Sequence, residues 1–511
     1  MKTLKNQLTF YFLTGILLSF QSPFSDDFTL AWSTYLGGES SWDQARDVCV
    51  DKFGNVIVVG GTASLNFPTT ADAYDTSFNA GGTQMGSAGL CDVFVTKYSS
   101  TGQLLWSTYV GGPNYDRAYA VETDLQGNII IAGRAGPDFP ITKDAVQPFF
   151  QGVRAGPYGL QNAFVAKLTA DGSQLLWSTF LGVGAMVRDF DLDSQGNIVA
   201  SFGSDPGSGN PPADWFKKAY QSKRRGKIES GVVKLKADGK QVFWATWYGG
   251  SGDESSEVGI SVDLQDRVYI TGNTKSTDLS IVGSQSDSTY NGGWDGYLAV
   301  FSSDASHLLC STYLGGSADD FVLNTHALAV DKKGQAYVHC ATSSNNFPTT
   351  PGVFSRTLKG NVDIALVKID ILTGKILLGT YIGGSKLDNA DGIFVDAVGN
   401  VFISGETESV DFPVTDNAFQ PVKEFGVDAF ILLLKPDFSN MFYSTFFGGI
   451  NDDRFRSGFL GEDGALYGIG TCSGAGFPVK NASQSDYAGG GGIGDAVVVK
   501  FNRNYSMQEK K

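Results

Sequence analysis

Six carboxylates stand at one recurring place in this chain: Asp43, Asp116, Glu254, Asp320, Asp388 and Asp453. Five of them follow the second residue of a glycine pair by four positions, and Asp43 follows by five. Carboxylates gathered around one mouth of a ring repel one another unless a cation or turn amides offset the charge. Hard oxygen donors of this kind suit Ca²⁺, the only cofactor the sequence offers. A single metal site has little use for six copies, so the stronger reading is that each carboxylate caps the turn in which it sits.

A second group is cationic. Lys217, Lys218, Lys223, Arg224, Arg225 and Lys227 lie within eleven residues, beside Trp215 and Tyr220. Trp215, Tyr220, Lys223, Arg224 and Arg225 could hold an anionic polymer by charge and stacking; the alternative is a solvated insertion. The same repeat has Val187 where the others carry the acidic residue.

Catalytic signals are sparse. No Gly-x-Ser-x-Gly elbow, His-Glu-x-x-His pair, phosphate-binding loop or dinucleotide fingerprint occurs. Of three histidines, His307 falls in a tight turn. His326 and His339 flank a hairpin turn, which puts His326 across the ladder from Cys340 and His339 on the other face of the sheet. Two such ligands are too few for a metal site, and buried, satisfied histidines are the simpler reading. His326 is the one histidine worth testing as an acid or base. A net charge of −15 argues against nucleic acid as partner.

The elements that must position these residues are repeats. Trp32-Ser33-Thr34-Tyr35-Leu36-Gly37-Gly38 returns at Trp106 and at Trp177, with related copies aligned on Ala245, Ser311, Gly379 and Ser444 at spacings of 65 to 74 residues. Between copies come an acidic turn, an apolar segment closing on Asp, and a turn such as Asp51-Lys52-Phe53-Gly54-Asn55. A β-branched segment, a longer loop often opened by Phe-Pro, and a strand such as Asp92 to Lys97 follow. Each unit reads as four short strands, a to d, and seven such units fit an all-β, seven-bladed β-propeller with four antiparallel strands per blade. The last unit ends after its strand c near Phe501, whereas the first heptad is a strand d without a, b or c before it. Pairing the two closes the ring and removes an exposed edge. The expected blades are 39–112, 113–183, 184–250, 251–316, 317–384, 385–449, and 450–502 completed by 29–38, with 503–511 as a polar tail. Tight turns a–b and c–d lie on one side of such a disc and long loops b–c and d–a on the other, where a site is expected.

Ahead of the propeller, Lys2 and Lys5 precede an apolar run from Leu8 to Phe20, shorter than the roughly 20 residues a membrane span needs. Residues 1–25 therefore read as a signal peptide and the protein as secreted or held at the cell surface, with no span after cleavage. The five cysteines, unpatterned between repeats, read as buried free thiols, with a Cys49–Cys91 bridge the alternative.

The combined pattern, Asp-x-Ala to Asp-x-x-Gly-Asn, Phe-Pro-Thr-Thr, Asp-Ala-Phe-Val-x-Lys and Ser-Thr-Tyr-Leu-Gly-Gly, resembles the bacterial SBBP (seven-bladed β-propeller) repeat family over nearly all of residues 29–502. The third unit departs most, with Val183 for Gly and Asn210-Pro211-Pro212 for Phe-Pro. The resemblance implies an exported propeller and carries over no catalytic residue. The expectation is thus a monomeric, non-catalytic binding or scaffold module for an extracellular polysaccharide or surface protein. Its rival is a polysaccharide-active enzyme such as a lyase, which needs a Tyr or His base and an Arg converging on the long-loop side.

Overall fold

The computed structural model describes residues 24–40, 42–81, 87–255, 258–283, 285–322, 326–489 and 492–507. The expected signal peptide falls almost wholly outside the described residues.

Seven four-stranded antiparallel blades form a ring, a seven-bladed β-propeller. Blade 1 shows the order: strand a is Asp43–Val50, b Val56–Thr62, c Asp92–Tyr98 and d Leu104–Val110. Strands a lie innermost and contact one another around the ring. In blade 7, Asp453–Leu460, Leu466–Cys472 and Asp495–Met507 supply a to c, and Phe24–Leu36 from the chain start supplies d. The closing ladder pairs Thr34 with Val498 and continues outward to Phe24 and Met507. It therefore runs five residues past the expected end at 502, because the two strands keep exchanging backbone hydrogen bonds beyond the blade. All five cysteines are buried free thiols.

Most of the recurring residues are spent on this architecture. In the a–b turn, Asp51 Oδ1 accepts from Phe53 N and Asn55 N at 2.9 Å, and Asn55 Nδ2 donates to Asp51 Oδ2 at 2.9 Å. Gly54 takes the left-handed conformation there, with φ +78°. The strand-c lysine then pairs with this aspartate: Lys97 with Asp51 at 2.9 Å, Lys167 with Asp124 at 2.7 Å and Lys234 with Asp193 at 2.7 Å. The heptad serine ties strand d to the Phe-Pro loop, Ser33 Oγ donating to Pro478 O and Ser444 Oγ to Pro413 O at 2.7 Å. Its tyrosine donates to the same loop, as from Tyr109 to Ser64 O at 2.7 Å.

The tryptophan of strand d seats on the c–d turn of the next blade. Trp32 lies over Gly102, Trp106 over Gly172 and Trp177 over Gly239. A Cβ on Gly172 would fall 2.4 Å from Trp106 Cε3, at φ +68°. Gly196, in an a–b turn at φ +76°, has nothing within 4 Å. Gly172→Ala should therefore lower stability by about 2–3 kcal/mol and Gly196→Ala by about 1 kcal/mol, since only the first adds a clash to the backbone strain. Thermal melts of the two variants check this; equal losses would contradict the seating.

Candidate functional site

With the repeated residues consumed, chemistry is left to positions that differ between blades. The a–b ladders shift register between Ala45 and Asp47, Ala118 and Ala120, Ala390 and Gly392, and Phe455 and Ser457. The extra residues are Arg46, Tyr119, Asp391 and Arg456; Arg188 and His326 occupy the corresponding places in blades 3 and 5. A bulge re-aims a side chain, and here it turns these residues into the central channel.

Each strand a begins at the long-loop face, so the early residues of the strands line that mouth. Four guanidinium carbons surround the Tyr119 ring: Arg188 at 4.9 Å, Arg117 at 5.1 Å, Arg46 at 5.2 Å and Arg134 at 5.3 Å from its centroid. They come from blades 1, 2 and 3. Arg117 also stacks on Trp42 at 4.7 Å and donates to Gln44 Oε1; Arg134 stacks on Tyr158 at 4.1 Å and donates to Met186 Sδ at 3.1 Å. Their residual exposure is 8% for Arg46, 5% for Arg117 and 3% for Arg134. None of these three meets a carboxylate among the described residues. Arg46 has neither hydrogen bond nor ion pair there, and its Nε is sealed from solvent.

Burying such a charge without a counterion is costly. Burial holds the Arg46 guanidinium well below its ordinary pKa, and the charges of Arg117 and Arg188 push it the same way. Burial raises the Tyr119 phenol, but Arg134, Arg117, Arg188 and Arg46 outweigh it and bring it down to about 8. On the adjoining wall of blades 6 and 7 the charges are matched, and Asp391 there also feels Arg46 and Arg188. Arg456 pairs with Asp391 at 3.2 Å and Glu406 at 3.5 Å, and Arg454 with Glu406 at 2.6 Å. The mouth is therefore positive along blades 1 and 2.

Beneath this layer the channel is bolted by His326. Its Nε2 lies 2.8 Å from Asp47 Oδ1 and its Nδ1 3.5 Å from Asp189 Oδ1, joining blade 5 to blades 1 and 3. Burial lowers the imidazole, yet the two carboxylates override it and raise its pKa to about 9. A charged, clamped imidazolium is a tie rather than a base. The a–b ladder of blade 5 runs from Leu328–Val338 to Val330–Ala336, a register that places His326 level with Cys340, and His326 also bridges Gly392 of blade 6. His339 is buried with its pKa lowered to about 4 by burial. Below the bolt lies a cavity of about 280 Å³ lined by Glu122, Asp191, Ser261 and Phe394.

The six carboxylates of the d–a turns cap those turns. Asp43 Oδ2 accepts from Gly38 N at 2.9 Å and Ser64 Oγ at 2.8 Å; Asp320 and Asp388 repeat the pattern with Gly316 and Ser344, and with Gly384 and Ser409. Gly112 N reaches Asp116 at 2.7 Å and Gly449 N reaches Asp453 at 2.6 Å, while Glu254 accepts from Thr274 at 3.0 Å. They sit between neighbouring blades, not around one ion, and no group of three or more His, Cys, Asp or Glu among the described residues is arranged to hold a metal.

The blade 3 loop differs from its expected form. Trp215 is 8% exposed and packs with Phe202 and Trp247, and Tyr220 lies against Phe301 at 5.8 Å. An apolar ring at a blade interface gains more from burial than from water, so Trp215 is not presented for stacking, while Tyr220 is half-buried. Arg225 is paired with Asp278 at 2.7 Å. Arg224 donates to Gly209 O at 3.1 Å and lies over Trp247, while Lys223 stays exposed.

No family model matches the chain. The regulatory protein FlaEY of Caulobacter vibrioides is 25% identical over 247 residues, 46% of this chain and 24% of FlaEY, so the match spans about a quarter of that relative's length. Among solved structures, a protein of unknown function from Dyadobacter fermentans is similar with TM-score 0.43 and 11% identity, covering 94% of this chain and 100% of that one. BamB from Moraxella catarrhalis gives TM-score 0.39 and 10% identity over 93% and 99% of the two chains. Polysaccharide lyase Uly1 gives 0.42 and 8% over 94% and 98%. Likeness at this level concerns the fold alone.

Proposed function

We propose that this is an exported propeller that binds an acidic polysaccharide through the arginine cluster at its long-loop mouth. One observation carries the reading: Arg46, Arg117 and Arg134 are buried side by side with no carboxylate partner among the described residues. The Arg46 charge opposes folding, and an arriving carboxylate or sulfate supplies the missing counterion with charge-assisted hydrogen bonds. The strongly negative remainder of the molecule disfavours anions elsewhere, which adds selectivity for this face.

The test separates a structural arginine from a binding one. Arg46→Met keeps the volume and removes the uncompensated charge. Its melting temperature without ligand should rise, by about 1–3 kcal/mol of stability, while its affinity for a uronate polymer falls at least tenfold. Parent binding should weaken with salt, because the charges are screened over about 8–10 Å. A variant less stable than the parent that still binds the polymer would sink the reading.

A further inference from the structure

We propose that Tyr119 is the proton acceptor of a β-elimination that cleaves the bound polymer at a uronate residue; this rests on the anion-binding reading above. The Tyr119 ring lies at the centre of the cluster, with the Arg46 guanidinium carbon 5.2 Å from its centroid. A carboxylate drawn onto the unpartnered Arg46 therefore comes to rest beside the phenol. Neutralising that carboxylate acidifies the carbon–hydrogen bond next to it, because the charge that develops on removing the proton spreads onto the same oxygens.

The step closes on itself. The proton on the carbon next to the carboxylate passes to the phenolate oxygen, and its electron pair forms a double bond to the β carbon. The β carbon–oxygen bond breaks, and the departing glycosidic oxygen takes the proton back from the Tyr119 hydroxyl. Tyrosine is regenerated, one chain end becomes an unsaturated uronate, and nothing else is consumed.

The surroundings poise the phenol for this. Arg46 faces it from blade 1, Arg117 and Arg134 from blade 2 and Arg188 from blade 3, with Tyr115 beside them and the Asp391–Arg456 pair adjoining Arg46. These guanidiniums favour the phenolate near neutral pH. An arriving carboxylate offsets part of that positive field, so the phenolate becomes more basic once the substrate is seated. His326 takes no part, being held between Asp47 and Asp189.

The experiment incubates the full-length protein with polygalacturonate, alginate, hyaluronan and a neutral glucan, following binding by calorimetry and unsaturated uronate by ultraviolet absorbance. The expected result is salt-sensitive binding to at least one acidic polymer, with product formation that rises along a limb near pH 8. Tyr119→Phe should bind within threefold of the parent yet form product at least a hundredfold more slowly, the scale of a lost general base. Spectrophotometric titration should show one phenol ionising near pH 8 in the parent and none there in Tyr119→Phe, which reports on the residue whether or not turnover is seen. Binding without any unsaturated product, or a Tyr119→Phe rate equal to the parent's, overturns the proton-transfer role and leaves the anion site standing. No salt-sensitive binding to any acidic polymer overturns both.

Discussion

Removing residues 24–38 should leave a chain that no longer melts cooperatively. Phe28, Leu30, Trp32, Tyr35 and Leu36 are each at most 5% exposed, and burying a side chain of that size contributes about 1.5–3 kcal/mol. Five of them together match the roughly 5–15 kcal/mol by which a whole domain is stable. The deletion also leaves strand c of blade 7 unpaired along Ala496 to Lys500 and opens the ring between its first and last blades. Trp32 loses its seat over Gly102 and its hydrogen bond to Ser100 O at 3.2 Å. Calorimetry on the deletion and the parent decides the point. A truncated chain with the parent's melting temperature would contradict the closure.

The second large effect is on pH. At each junction but one, the capping carboxylate meets a second acid that opens strand c of the preceding blade: Asp495 with Asp43, Asp92 with Asp116, Glu229 with Glu254, Asp295 with Asp320, Asp363 with Asp388, Asp428 with Asp453. The first heptad glycine lets them converge, since a Cβ on Gly37 would fall 2.6 Å from Asp495 Oδ1 and 3.0 Å from Asp43 Oδ2. Asp92, Asp295 and Asp495 each keep a buried Oδ1 without a hydrogen bond. Burial lifts Asp92, Glu254, Asp295, Asp453 and Asp495 to about 7 and Asp388 to about 6. The exception is natural: strand c of blade 2, Leu160–Leu168, carries Asn162 at that place, and its Nδ2 donates to Gly182 O and Gly184 O at 3.3 Å.

Acids with raised folded pKa values hold protons that the unfolded chain releases above about pH 4, so their contribution to stability is lost as pH rises through about 7. Asp51, Asp124 and Asp193 act the other way. Burial raises each, but Lys97, Lys167 and Lys234 lower them further, and their contribution is lost as pH falls below the ordinary carboxylate range. Stability should therefore peak near pH 4 and fall toward pH 8, with a drop in melting temperature on the order of 10 °C. Asp495→Asn, copying blade 2, should raise the melting temperature at pH 8 by about 1–2 °C and flatten the slope. A melting temperature that climbs from pH 5 to pH 8 would show that the pairs do not share protons.

The architecture was legible because its information is local and repeated. Asp51 to Asn55 specifies a turn by its own side-chain hydrogen bonds, and four copies with Gly in place specify it again. The cluster is the reverse case. Arg46, Tyr119 and Arg188 lie about 70 residues apart in sequence, one to a blade, and each looks like an interruption of an apolar strand. Their common feature is the extra place early in strand a, where the blades carry Arg46, Tyr119, Arg188, His326, Asp391 and Arg456 instead of a repeated apolar residue. That variation within an otherwise repeated strand was the signal available. Density in sequence drew attention to Lys223, Arg224 and Arg225 instead, although a loop rich in charge remains wet, whereas isolated arginines in strands are forced into the channel. Trp215 and Tyr220 resembled a stacking platform for the same reason, whereas Trp215 is core and Tyr220 lies half-buried against Phe301.

Arg46, Arg117 and Arg134, buried in blades 1 and 2 with no carboxylate partner among the described residues, await an anion. A crystal structure with a uronate oligosaccharide tests this most directly. The account predicts a carboxylate within hydrogen-bond distance, about 3 Å, of the Arg46 guanidinium on the long-loop face. An oligosaccharide bound instead at the blade 3 loop around Lys223 and Arg224, with only water against Arg46, would contradict it.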